Sequence, residues 1–119
     1  MLKILYIDDE PALRSAFRRL FRQQHDVTIA ENAEVALDLL KKFKFDVVVS
    51  DVIMPGLTGP DLCLKVREFN PDLARRFIFV SGGFDRGTGQ KLGSLTNRLL
   101  MKPYRREDMA DAIQAITSV

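Results

Sequence analysis

The sequence predicts an α/β domain, an open and doubly wound sheet of five parallel strands with helices on both faces. Three observations carry that prediction. Short β-rich runs alternate with helical periods from end to end. The third run, Val47-Val48-Val49, is apolar on both faces, as suits the middle of a parallel sheet. Five such β–α units fill the 119 residues, which implies right-handed crossovers and one layered core. With 46% apolar and 29% charged residues, residues 1–119 are expected to form a single domain.

Leu2 to Ile7 reads as the first strand, stopped by Asp8-Asp9-Glu10-Pro11. Pro11 suits a first helical position, where its missing N–H would lack a partner anyway. Leu13, Phe17, Leu20 and Phe21 then recur at helical spacing, with Arg14, Arg18, Arg19 and Arg22 on the remaining, solvated faces. Val27 to Ala30 is the second strand. Asn32 caps the second helix, whose buried stripe is Ala33, Ala36, Leu37 and Leu40. Beyond the valine strand, a loop with Pro55, Gly56 and Gly59 leads to a third helix. That helix has Pro60 near its start and Leu62, Val66 and Phe69 on one side, and Asn70-Pro71 ends it. Cys63 within it reads as a packing residue. Phe77 to Val80 is the fourth strand, and Leu99 to Met101 a short fifth one closed by Lys102-Pro103. The last helix turns Met109, Ile113 and Ile116 inward. Between the fourth and fifth strands, Gly82, Gly83, Gly87, Gly89 and Gly93 crowd together. Each glycine inside a helix costs roughly 1 kcal/mol relative to alanine, so the fourth helix expected there is short or irregular.

In open parallel sheets chemistry collects at the carboxyl ends of the strands, near the point where strand order reverses. Those ends carry Asp8 and Asp9 after the first strand, Asp51 after the third, Ser81 after the fourth and Lys102 after the fifth. Glu31 and Asn32, after the second, are sufficiently explained by helix capping. If the first and third strands are neighbours, three carboxylates meet. Like charges about 4 Å apart repel by about 4 kcal/mol in a medium of intermediate dielectric. Such a cluster calls for a cation or a raised pKa. Oxygen ligands in a partly open pocket suit Mg2+. Lys102 adds an ammonium and Ser81 a hydroxyl, and together with a metal they meet the needs of phosphoryl binding and transfer.

These residues resemble the receiver domain of two-component response regulators. The likeness rests on the Asp8-Asp9 pair, the segment Ser50-Asp51-Val52-Ile53-Met54-Pro55-Gly56-Leu57-Thr58-Gly59, Ser81-Gly82, and Lys102-Pro103-Tyr104. It implies a flavodoxin-like sheet of order 2-1-3-4-5. It further implies that Asp51 accepts a phosphoryl group from a phosphohistidine on a sensor histidine kinase or histidine phosphotransfer protein. By the same resemblance Asp9, Asp51 and the Ile53 carbonyl hold Mg2+, with Asp8 acting through a water. Lys102 pairs with Asp51 at rest and with the phosphoryl group afterwards. Ser81 moves to bond a phosphoryl oxygen and biases a two-state surface, and Gly82 leaves room for the group. The arginine-bearing first helix would be the face met by the kinase.

One position departs from the family pattern. Where receivers often carry an aromatic residue three places before the lysine, this chain has Leu99. The usual aromatic switch is therefore absent, and the expected readout is local loop ordering or service as a phosphate sink. An aliphatic residue there, with Lys-Pro-aromatic following, resembles receivers joined to sensor kinases; single-domain regulators also fit. A magnesium phosphatase with an aspartate nucleophile would place a second acid at position 53, which is Ile53. A flavodoxin-type cofactor binder would need a phosphate loop where Asp8-Asp9-Glu10 stands, and acids repel phosphate. A receiver-fold module that is never phosphorylated is opposed by the complete acidic set. The chain is expected to act as a signalling receiver with no separate substrate turnover. One cysteine fits a reducing, cytoplasmic setting, and no apolar run reaches membrane-span length. A net charge of +2 gives no case for direct nucleic-acid binding, and a monomer or weak dimer is expected.

Overall fold

The computed structural model describes residues 1–82 and 97–118. Strands β1 (Lys3–Ile7), β2 (Asp26–Ala30), β3 (Val47–Asp51), β4 (Phe77–Ser81) and β5 (Arg98–Met101) form one sheet in the order β2-β1-β3-β4-β5. Every pairing in it is parallel, as expected. The helices described are α1 (Pro11–Phe21), α2 (Ala33–Lys42), α3 (Gly59–Phe69), the single turn α4 (Pro71–Ala74) and α5 (Arg106–Thr117). The short or irregular helix expected between β4 and β5, with Gly83, Gly87, Gly89 and Gly93, lies outside the described residues.

Strand alternation divides the interior into two cores. Leu5 and Ile7 of β1, Val48 of β3 and Phe77 and Phe79 of β4 face one side, against α2, α3 and α4. Ile4 and Tyr6, Val47 and Val49, and Ile78 and Val80 face the other. There α1 supplies Phe17 and Phe21, and α5 supplies Met109, Ala112 and Ile113. The Tyr6 and Phe17 rings stack, with centroids 4.2 Å apart and planes 13° from parallel. Both faces of β3 are thus covered, which is why its sequence reads as unbroken valine.

Two expected core residues turn outward. Leu20 in α1 is 41% exposed and Phe69, the last residue of α3, is 46% exposed. Helical spacing marks a stripe without fixing how wide a face the sheet covers, and a terminal turn can lie beyond it. The chain also continues past Asn70-Pro71 for one more helical turn. Asn70 caps α4 by accepting the Leu73 N–H at 3.1 Å. Helix α3 begins on a cap the sequence reading overlooked: Thr58 Oγ1 accepts the Asp61 N–H while the Asp61 carboxylate accepts the Thr58 N–H. Cys63 is buried with its thiol against the Ala74 carbonyl, and burial pushes it up to about 12, an unreactive packing residue.

Candidate functional site

The strand register assembles the site. Ile7 pairs with Ser50, so Asp8 and Asp51 stand one step further on, at the ends of neighbouring strands. Asp51 in turn pairs with Val80, and Ser81 with Met101. The Lys102 N–H donates to the Ser81 carbonyl at 2.8 Å, tying the exit of β5 to the end of β4. The Lys102–Pro103 peptide is cis. The Lys102 ammonium reaches over β4 to donate to Asp51 Oδ2 at 3.1 Å and to Asp8 Oδ2 at 3.4 Å.

One carboxylate oxygen from each of Asp8, Asp9 and Asp51 lies within 4.8 Å of the others. Asp8 and Asp51 are buried, at 1% and 8% exposure, while Asp9 is open to solvent. Burial pushes the Asp51 carboxyl above its ordinary value; Lys102 counters this without cancelling it, and Asp8 and Asp9 add to it. Burial also pulls on Lys102, but the Asp51 and Asp8 carboxylates outweigh it and hold the ammonium above its usual range. The site therefore has an excess of negative charge that a single lysine does not balance. All donors are hard oxygens and one side is open, so the set fits a divalent cation of the Mg2+ kind.

The β3–α3 connection is pinned close to this cluster. The Val52 N–H donates to the Val80 carbonyl and the Gly59 N–H to the Val52 carbonyl, each at 3.0 Å. A Cβ on Gly59 would come within 2.4 Å of the Asp51 carbonyl oxygen, so only glycine lets α3 start against the end of β3. Ile53, two residues past the end of β3, is 46% exposed. Ser81 closes β4 and is buried. An added Cβ on Gly82 would meet no atom within 4 Å among the described residues.

Two functional contacts escaped the sequence reading. The Tyr6 hydroxyl donates to Asp8 Oδ2 at 3.0 Å, because residues two apart on a strand share a face. Arg14 is not solvated like its neighbours: it is half-buried and its guanidinium donates to the Asp8 carbonyl at 2.8 Å. The first contact could have been sought from strand parity, whereas the second depends on the angle at which α1 leaves the sheet.

A doubly wound sheet with an acid cluster and a lysine at its carboxyl edge is an arrangement able to hold a divalent cation and a phosphoryl group. The family model described as "Response regulator receiver domain" matches residues 4–114. The sensor kinase CckA of Brucella abortus is 31% identical over 115 residues, covering 93% of this chain and 12% of that protein. The response regulator MprA of Mycolicibacterium vanbaalenii is 31% identical over 117 residues, covering 97% of this chain and 50% of that protein. The chain thus spans half or less of the length of these relatives. The crystal structure of the response regulator TrrA from Thermotoga maritima, in complex with Mg2+-BeF, has a TM-score of 0.84 at 22% identity. It covers 98% of this chain and 99% of that one, a likeness of fold. The chain belongs to the response regulator receiver domain family. It is a signalling domain of two-component systems, and its pocket of Asp8, Asp9 and Asp51 fits phosphorylation on aspartate with Mg2+. No helix among the described residues is long and apolar enough to cross a membrane.

Proposed function

We propose that Asp51 is the phosphoacceptor and that the donor is a phosphohistidine on a sensor histidine kinase or histidine phosphotransfer protein. The observation that carries this reading is the ion pair of Lys102 with Asp51, 3.1 Å long and set within the three-carboxylate cluster. Asp51 attacks phosphorus through a carboxylate oxygen; the new O–P bond forms as the N–P bond to imidazole breaks, and the leaving imidazole keeps the electron pair and takes up a proton. A carboxylate is a weak nucleophile, and its own charge repels the incoming group. Lys102 offsets that charge at rest and then pairs with the phosphoryl oxygens. Ser81 donates its hydroxyl to one of them. Asp9, Asp51 and the Ile53 carbonyl would hold Mg2+, with Asp8 holding one of its waters. When bound, that ion supplies charge neutralisation on the phosphoryl oxygens.

The partner meets the α1 face. A groove of about 440 Å3 there is lined by Leu13, Phe17 and Leu20 of α1 and by Tyr6, Lys102 and Tyr104, so a docked helix would lie beside the ammonium. The chain acts without separate substrate turnover or nucleic-acid contact, as a monomer or weak dimer. With Leu99 on β5 where an aromatic residue is usual, the readout is local, without an aromatic flip. Intact-mass spectrometry tests the central claim. Acetyl phosphate with Mg2+ is expected to add one phosphoryl group to the wild type and none to Asp51→Ala. An unmodified wild type would favour a receiver-fold interaction module instead.

A further inference from the structure

The Asp8 carboxylate is more fully bonded than a water-holding role requires. Its Oδ1 accepts the Glu10 N–H at 3.0 Å, and its Oδ2 accepts both the Tyr6 hydroxyl at 3.0 Å and the Lys102 ammonium at 3.4 Å. The residue is 1% exposed, so solvent offers Oδ2 little replacement if either donor leaves. Tyr6 is itself buried, clamped by its stack on Phe17, and its side chain is also hydrogen-bonded with Tyr104.

We infer that Tyr6 is a positioning residue whose hydroxyl satisfies Asp8 Oδ2 and thereby releases Lys102 to bind the phosphoryl group. This rests on the reading of Asp51 as phosphoacceptor. At rest Lys102 is shared between Asp51 and Asp8, with the longer contact on Asp8. Drawing the ammonium onto a phosphoryl oxygen takes a donor from a buried carboxylate. With Tyr6 present, Oδ2 keeps one hydrogen bond through the change. Without the hydroxyl, that oxygen is stranded whenever Lys102 leaves, and a stranded buried acceptor is costly where a lost surplus bond is cheap. Tyr6 therefore acts on the difference between the resting and phosphoryl-bound states. Its ring packs the core against Phe17, and this role belongs to the hydroxyl alone.

The test is Tyr6→Phe, which keeps the ring and its stack on Phe17. Mg2+ alone and Mg2+ with beryllofluoride, a phosphoryl mimic, are titrated into wild type and variant and followed by amide chemical shifts. Tyr6→Phe is expected to weaken beryllofluoride binding about tenfold while leaving Mg2+ affinity within about twofold of wild type. In a Lys102→Met background, where no ammonium has to move, adding Tyr6→Phe is expected to cost little more, a non-additivity that marks the two donors as coupled. Equal losses of Mg2+ and beryllofluoride binding in Tyr6→Phe, or additive effects with Lys102→Met, would each overturn the inference. If the wild type fails to bind beryllofluoride at all, the phosphoacceptor reading falls first and this inference with it. If the wild type binds it and Tyr6→Phe binds it equally, only the role of Tyr6 is lost.

Discussion

Asp51 is held with its carboxyl above the ordinary value, mainly by burial, and that direction has a thermodynamic consequence. A carboxyl whose folded value is raised binds more protons in the folded chain than in the unfolded one. Its contribution to stability therefore falls as pH rises, from the ordinary carboxylate value through the raised one. In the metal-free protein at neutral pH the charged Asp51 is then a net cost. Asp51→Asn is expected to raise the melting temperature in chelator at pH 7. The gap should close on acidification, as the wild type takes up its proton; calorimetry across that range checks it. Added Mg2+ should stabilise the wild type by about 1.4 kcal/mol at ten times its dissociation constant, and Asp51→Asn should lose most of that gain. The acidic residues, Ser81 and Lys102 were legible in the sequence because each ends a strand, and a parallel sheet collects its strand ends. Tyr6 and Arg14 were not. A tyrosine inside a strand and an arginine among arginines carry no local sign that both bond Asp8, one at a carboxylate oxygen and one at the carbonyl.

Strands and helices were legible wherever periodicity was strong, and the junction that aims Asp51 is where it was weak. Gly59 before Pro60 reads as loop chemistry, yet its hydrogen faces the Asp51 carbonyl at a distance no Cβ could keep. That close approach joins β3 to α3, elements eight residues apart, and no local pattern encodes it. Gly59→Ala must push the start of α3 away from the strand end, at a cost of about 1–3 kcal/mol typical of overpacking. Urea denaturation should show that loss, and because the shift moves the backbone of Asp51, Mg2+ affinity should fall with it. Thr58→Ala removes a cap without creating a clash. It should cost about 1 kcal/mol and leave Mg2+ affinity nearly intact, which separates helix stability from site geometry. The two variants together ask whether the α3 start serves the fold, the site or both.

At the scale of the whole molecule, the near-neutral charge hides a division of labour between edges and faces. Three carboxylates gather at the carboxyl edge, only partly offset by one ammonium, while the α1 face beside them stays largely apolar around Lys102 and Tyr104. Leu20 is central to this division. Its helical spacing placed it in the core, but the structure leaves it 41% exposed on the rim of the groove that Lys102 also lines. An exposed leucine on an arginine-rich helix contributes little to folding, and under the proposed function it would offer apolar area to a partner helix bringing a phosphohistidine to Asp51. On that reading small phosphodonors would need only the carboxyl edge, whereas a protein donor would need the face as well. Leu20→Glu is therefore expected to lower phosphotransfer from a phosphorylated histidine phosphotransfer protein about tenfold relative to labelling by acetyl phosphate, equivalent to about 1.4 kcal/mol of docking energy. Measuring both rates on one preparation decides the matter, since misfolding would depress them together and lost docking would depress only the first. A variant that slows both donors equally would move the partner surface away from α1.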